Sequence, residues 1–347
     1  MIELVYADCG GCGHYRVKWP ADYLIANGCP VVSSRTVMVF QGLTGISVQR
    51  PLESSVYDTL KSLKGITRVV DFDDMLFKLY GEDLPEYNHA TAEMDLKETT
   101  SVFKKGLKDI DKLTVSTEFM KKAISDNYNS YFSDSFEGIE VVPNTLPSWL
   151  WNFGRRAEIE EDIKKPRVLF AGSSTHYPLS GSDLGDFSPE LVKWLHEDID
   201  KIDLVFIGNI PVFMQDIADK ITVVPFSNVL NYPRLLWNLA ADFIIAPLKE
   251  NIFNKCKSNL KYLEASAVGS VLVGSVFDDS PYQNLSSLTQ MKPNMTVEDI
   301  RGIFLQACKK DAYNELLKRQ YDDLDKSWLE ANIAKFVKPF KVEVKNG

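Results

Sequence analysis

What most constrains the fold of this chain is an alternation of short β-branched runs with amphipathic stretches, which fills the first 150 residues and starts again near residue 166. In the first half the runs are IELVYA (2–7), TVMVF (36–40), ITRVVDF (66–72), KLTVS (112–116) and IEVVP (139–143), with SSVYDTLKSL and AEMDLKETTSVFKKGL among the intervals. Such alternation predicts a parallel sheet with helices on both faces, because parallel neighbours need a crossover long enough to hold a helix. The pattern restarts at PRVLFAGSS (166–174) and continues through IDLVFIG (202–208), ITVVPF (221–226), ADFIIAPL (241–248) and GSVLVGSVF (269–277). Helices are expected near 188–200, 231–240 and 257–268, and 297–338 reads as helical throughout. The expectation is an α/β chain of two doubly wound, Rossmann-like parallel-sheet domains, 1–150 and 165–310. A helical segment, 311–347, should pack back towards the first domain. A length of 347 residues suits two cores better than one.

Composition narrows the class. With 45% hydrophobic and 25% charged residues the chain reads as globular, and its apolar runs fall short of the roughly 18 residues of a membrane span. The opening MIELVYADCGGCGHYR has no basic start, apolar stretch and cleavage site, so it reads as a first strand and predicts a cytoplasmic protein. Five cysteines, Cys9, Cys12, Cys29, Cys256 and Cys308, are an odd and sparse set that fits reduced thiols. A net charge of −9 argues against broad attraction to nucleic acid, so a DNA acceptor would require a focused basic patch.

In doubly wound sheets ligands bind beyond the carboxyl ends of the strands, and with two such domains the cleft between them is the natural site. The segment APLKENIFNKCKSNLKYLEASAVGS is the most informative there. Leu260, Leu263 and Ala267 fall on one helical stripe, and Lys257, Lys261 and Glu264 on another. Ser258 and Asn259 at the helix start offer a cap and backbone N–H groups suited to a diphosphate, and Glu264 suits ribose hydroxyls. A solvated face with a Lys261–Glu264 pair has the same spacing. The cluster DFDD places Asp71, Asp73 and Asp74 at a carboxyl edge, where a catalytic carboxylate belongs, with a metal pair or a helix cap by Asp74 as the other readings of the same spacing. Cys9, Cys12, His14 and Cys29 have the composition of a zinc set, but a C-x₂-C flanked by glycines is more simply a tight turn, and no metal is expected. Of the isolated histidines, including His89, His176 directly after GSST is the one singled out for test.

Four segments together resemble family-four glycosyltransferases of the GT-B fold: KSNLKYLE with its surroundings, VVPNTL (141–146), PRVLFAGSSTHYPLSGSD (166–183) and GCGHYRVKWPADYL (11–24). The resemblance implies transfer of a sugar from a nucleotide-sugar cosubstrate, with no further cofactor. It implies that Glu264 binds the ribose. The first of the family's two glutamates falls at Cys256, so Lys257 or Lys261 would carry part of the phosphate contact. Gly172, Ser173 and Ser174 would let the backbone approach phosphate oxygens, and Gly11, Gly13, His14, Arg16 and His176 would reach the donor phosphates or the acceptor. The GCGHYR opening and DFDD look most like phage-encoded glycosyltransferases, some of which modify hydroxymethylated cytosine in duplex DNA. That would place the enzyme in the host cytoplasm with a flipped base stacked on Tyr15, Trp19, Trp149 or Trp151. One alternative acceptor is a bacterial surface polysaccharide or its lipid-linked precursor, which calls for an exposed apolar or basic amphipathic patch. Another class is a haloacid-dehalogenase-like phosphohydrolase, with Asp71 as nucleophile and VFDDS (276–280) as the distal acidic pair.

Overall fold

The structure is a computed structural model that describes residues 1–78, 96–172, 176–177 and 183–342. In the first half, β1 (Ile2–Val5), β2 (Val31–Ser34), β3 (Gly45–Gln49), β4 (Thr67–Phe72), β5 (Lys112–Val115) and β6 (Gly138–Val141) form one six-stranded sheet in the order β2-β1-β3-β4-β5-β6. Each ladder is parallel; Ile2 pairs with both Val31 and Gly45. The helices α1 (Trp19–Ala26), α2 (Ser54–Ser62), α3 (Leu96–Gly106) and α4 (Glu118–Tyr128) flank it, and α5 (Ser148–Trp151) lies beyond β6. Central strands read as continuous apolar runs because helices cover both faces, and β5 is buried along its whole length.

The second half repeats the plan with β7 (Arg167–Ala171), β8 (Asp203–Ile207), β9 (Thr222–Val224), β10 (Phe243–Ala246), β11 (Val271–Ser275) and β12 (Gln290–Met291), in the order β12-β11-β10-β7-β8-β9. Its helices are α6 (Pro189–Glu197), α7 (Tyr232–Leu239), α8 (Ile252–Cys256) and α9 (Leu260–Ala267), followed by α10 (Val297–Ala307), α11 (Lys310–Asp325), α12 (Leu329–Asn332) and α13 (Ala334–Val337). The last turns return to the first half. Leu329 N–H donates to Leu146 O at 2.8 Å, Ser148 Oγ to Glu330 at 2.5 Å, and the Phe340 ring lies so close to Gly45 that an added Cβ would come within 2.4 Å of it. No helix among the described residues is long and apolar enough to cross a membrane.

Two expectations about elements are corrected. TVMVF is not a strand: it lies in the connection between Val31–Ser34 and Gly45–Gln49, which pair with β1 from its two sides, and Met38 and Val39 are exposed. The segment is fastened by Glu3, whose buried carboxylate accepts from Ser34 Oγ at 2.6 Å and from Met38 N–H at 2.9 Å. GISVQ takes the central position because β-propensity expresses a fit to a half-buried surface rather than composition alone. The helix expected over 257–268 begins at Leu260, after a break over 257–259 that separates it from α8.

Each sheet reverses its strand order once. In the first the chain runs from β1 to β2 and then to β3 on the other side of β1; in the second it leaves β7 through β8 and β9 and returns as β10. These reversals open the crevices in which such sheets bind ligands.

Candidate active site

Beyond β1, Asp8 Oδ1 accepts from Gly10 N–H at 2.7 Å and Gly13 N–H at 3.3 Å, curling the glycine-rich loop. Gly13 admits no side chain, since a Cβ would lie 1.9 Å from Asp8 O. A π turn over His14–Lys18 then leads into α1 and turns Arg16 inward. Arg16 is 4% exposed; it grips Asp71 through Nε at 3.0 Å and a second bond from Nη2, and bonds Val142 O and Asn144 Oδ1. Thr114 Oγ1 donates to the same carboxylate at 2.6 Å. Arg16 is therefore not a free cation for phosphate, as its place in the loop led one to expect, and neither Asp71 oxygen is free for nucleophilic attack. His14 is also buried, with Nδ1 2.7 Å from Gly10 O.

Asp73 and Asp74 share one partner that no motif announced. Arg50 follows β3 directly with φ of 47°, and reaches Asp73 Oδ1 at 2.6 Å, Asp74 Oδ2 at 2.8 Å and Cys12 Sγ at 3.2 Å. Burial pushes Asp73 up, but Arg50 and Arg16 outweigh it and hold the carboxylate below its ordinary range. Burial and Asp73 keep the Cys12 thiol protonated. Among the described residues, Cys12, Asp73 and Asp74 are the group close enough to share a metal, and the Arg50 guanidinium bonds all three. The suggested zinc set is not assembled, for Cys9, His14 and Cys29 are not part of that group. Sequence offered one weak signal for Arg50: a cation immediately after a buried run.

Across the cleft, Glu264 on α9 is 3% exposed yet bonded from three sides: by Tyr15 Oη of the first domain at 2.9 Å, Lys261 Nζ at 2.8 Å and Tyr232 Oη at 3.5 Å. Lys261 Nζ also meets Tyr232 Oη at 3.1 Å. Burial works against the Lys261 ammonium, but Glu264 keeps it charged; burial and Glu264 push the Tyr232 hydroxyl up to about 12. Asn259 makes no side-chain cap at the start of α9, and Ser258 Oγ instead accepts from Asn144 Nδ2 at 2.8 Å. Lys257 lies in the break, 4.8 Å from the centre of the Phe253 ring. Cys256, where the resemblance would place a glutamate, is fully buried with Phe253 in the core of the first domain, and its carbonyl accepts from Thr117 Oγ1 at 3.2 Å.

At the end of β7, a Cβ on Gly172 would come within 2.4 Å of the Phe170 ring, so the backbone there stays bare. Ser173, Ser174 and His89 lie outside the described residues. His176 Nδ1 pairs with Asp186 Oδ2 at 2.8 Å. Asp186, another partner without a sequence signal, also accepts from Lys249 N–H at 3.1 Å and Asn254 Nδ2 at 2.8 Å. Beyond β9, Phe226 is exposed with its ring over Gly208. Tyr15, Trp19 and Trp151 are core residues rather than open stacking platforms; Trp149 is exposed and stacks on Tyr23 at 5.8 Å. Asp278 and Asp279 follow β11, in the other sheet from DFDD, so the acidic pairs of the phosphohydrolase reading do not meet on one sheet.

The chain has the GT-B fold, with two Rossmann-like domains facing a cleft. No family model and no curated protein matches the sequence. Among solved structures, the chain is similar to a sucrose-phosphate synthase from Thermosynechococcus elongatus, at 14% identity over 98% of each chain and a TM-score of 0.65. It is similar to a glycosyltransferase from Rickettsia africae at 12% identity, covering 100% of this chain and 98% of that one, with a TM-score of 0.63. HepE from Anabaena, solved in complex with UDP, aligns at 11% identity over 98% of this chain and 97% of its own, with a TM-score of 0.57.

Proposed function

We propose that the chain is a nucleotide-sugar-dependent glycosyltransferase, with the donor on the second domain (165–310), the acceptor on the first (1–150), and 311–347 as a strap between them. The observation that carries this reading is the Lys261–Glu264–Tyr232 cluster, with Glu264 buried and its two partners half-buried, beside the uncapped start of α9 at a carboxyl sheet edge opposite DFDD. Lys257, Lys261 and the first N–H groups of α9, with Ser258 and Asn259, hold the diphosphate; Glu264 takes the ribose; bare backbone at Gly172 admits the phosphates. Ser173 and Ser174, next in sequence after Gly172, are assigned to the same phosphate contact. Gly11 and Gly13 shape the facing loop. Asp73 or Asp74, fixed by Arg50, orients the acceptor hydroxyl, and no bound cofactor is required.

For the acceptor, the favoured reading is a hydroxymethylated cytosine in duplex DNA, supported by the likeness of the opening loop and DFDD to phage-encoded enzymes. The alternative, a surface polysaccharide or its lipid-linked precursor, gains support from the exposed Met38 and Val39 of the first domain. A panel of UDP- and GDP-sugars is incubated with hydroxymethylcytosine duplex, unmodified duplex and lipopolysaccharide-core oligosaccharide, and products are read by mass spectrometry. A hexose mass on the modified duplex alone is expected. Addition to the oligosaccharide moves the acceptor to the alternative, and a chain that neither binds nor turns over any donor sinks the transferase reading.

A further inference from the structure

The reversal point of the second sheet, between the carboxyl ends of β7 and β10, carries a pair to which the proposed function gives no role. His176 Nδ1 lies 2.8 Å from Asp186 Oδ2. Asp186 is buried, and its other oxygen is held by Lys249 N–H and Asn254 Nδ2, so the carboxylate is fixed by the loop that leads into α8. An ionised carboxylate only accepts, which puts the ring proton on Nδ1. Nε2 has no partner among the described residues, and a Cβ on Gly172 would stand 3.2 Å from the ring, so the ring borders the strand end where backbone alone is tolerated.

We propose, resting on the donor-site reading, that His176 is a proton-taking contact for the donor's diphosphate and that Asp186 is its positioning residue. In the free protein the ring is neutral, and as a diphosphate binds Nε2 takes a proton from solvent and donates it in a hydrogen bond to a phosphate oxygen.

The electrostatics around the ring supply the cause. Burial disfavours the imidazolium, Asp186 favours it, and the ammonium groups of Lys257 and Lys261 disfavour it from the facing segment, with a net lowering below the ordinary histidine value. Phe170 of β7 adds an uncharged ring at 6.3 Å. A diphosphate seated by those lysines cancels their repulsion and adds its own negative charge, so the balance turns towards the cation that Asp186 already supports. With two half-buried cations nearby, a permanently charged third would be costly in the free state, whereas a titrating ring carries charge only when the ligand does.

The test is calorimetry of the full chain with UDP, GDP, ADP and inorganic pyrophosphate near pH 8, in buffers of different ionisation heat. Wild type should take up to about one proton more per bound ligand than His176→Gln, since one ring nitrogen is involved. Affinity should weaken as pH rises in wild type and stay flat in His176→Gln, and Asp186→Asn should lose most of the uptake. Equal proton counts in wild type and His176→Gln, with binding intact, overturn the dyad and leave the donor site standing. If none of the four probes binds, the donor site falls and the dyad with it. Should His176→Gln misfold, ¹⁵N NMR of the four histidines of wild type decides: a His176 ring still neutral at saturating UDP overturns the proposal.

Discussion

Arg16 and Asp71 show how one residue can be diverted from a surface role to an internal one. Arg16 was expected to reach the donor phosphates or the acceptor and Asp71 to stand at a carboxyl edge, yet the two form a buried pair whose polar atoms are matched. Removing one partner of such a pair leaves an uncompensated charge in a low-dielectric interior, at a cost of about 3–5 kcal/mol. Arg16→Met should lower unfolding stability by that amount in urea titrations; a loss below about 1 kcal/mol would mean that water reaches Asp71. Asp73 and Asp74 make the opposite case, since Arg50 fixes them without consuming every oxygen. If they orient the acceptor, Asp73→Asn or Asp74→Asn should leave donor affinity nearly unchanged and reduce turnover by about 10² to 10⁴-fold. Full turnover in both variants, measured with saturating donor, removes them from the mechanism.

At the scale of elements, the break between α8 and α9 matters most. It turns α8 towards the first domain, where Phe253 and Cys256 join the core, and leaves α9 to begin in the cleft without a side-chain cap. A continuous helix over the same residues would have satisfied the N–H groups that the break exposes. Periodicity put Lys261 and Glu264 on one face but also extended that face to Lys257, missing the break, whose cause is packing against α4 and the Asn144–Ser258 bond. Glu264→Ala and Lys261→Ala should each weaken nucleoside diphosphate binding by about 1.5–3 kcal/mol, the worth of a hydrogen bond to a charged group. Calorimetric affinities within error of wild type for both would move the donor off this helix.

For the whole molecule, the lowered carboxylates and His176 act in one direction with pH, and His196 and Asp242, both raised in the folded state, act in the other. Asp73, Asp111 and Asp198 sit below their ordinary values, against the cost of burial, through Arg50, Arg68 and the Lys201–Arg301 pair respectively. Their contribution is present above the unfolded value of about 4 and is lost as pH falls through the folded values. His176, lowered in the folded state, takes a proton first in the unfolded chain, so its penalty begins as pH drops below about 6.5. Between about pH 7 and 5 the midpoint of wild type should fall relative to that of His176→Gln, and below about 4 both should decline as the lowered carboxylates are protonated; parallel curves for the two proteins above about pH 5 would contradict the His176 assignment. The sequence by itself determined the class of fold, because strand–helix alternation with buried apolar runs admits few arrangements other than parallel, doubly wound sheets. It also marked Lys261 and Glu264 as neighbours on one helix face and the DFDD edge, since local periodicity fixes which side chains share a face, whereas Lys257 falls in the break before that helix. Only the tertiary structure decided what those groups touch: Tyr15 comes to Glu264 from 249 residues away, and Asp186 and Arg50 reach His176 and the DFDD carboxylates with no local pattern to announce them. Such pairings depend on which strands become neighbours and how two domains meet, and a one-dimensional period carries no record of either.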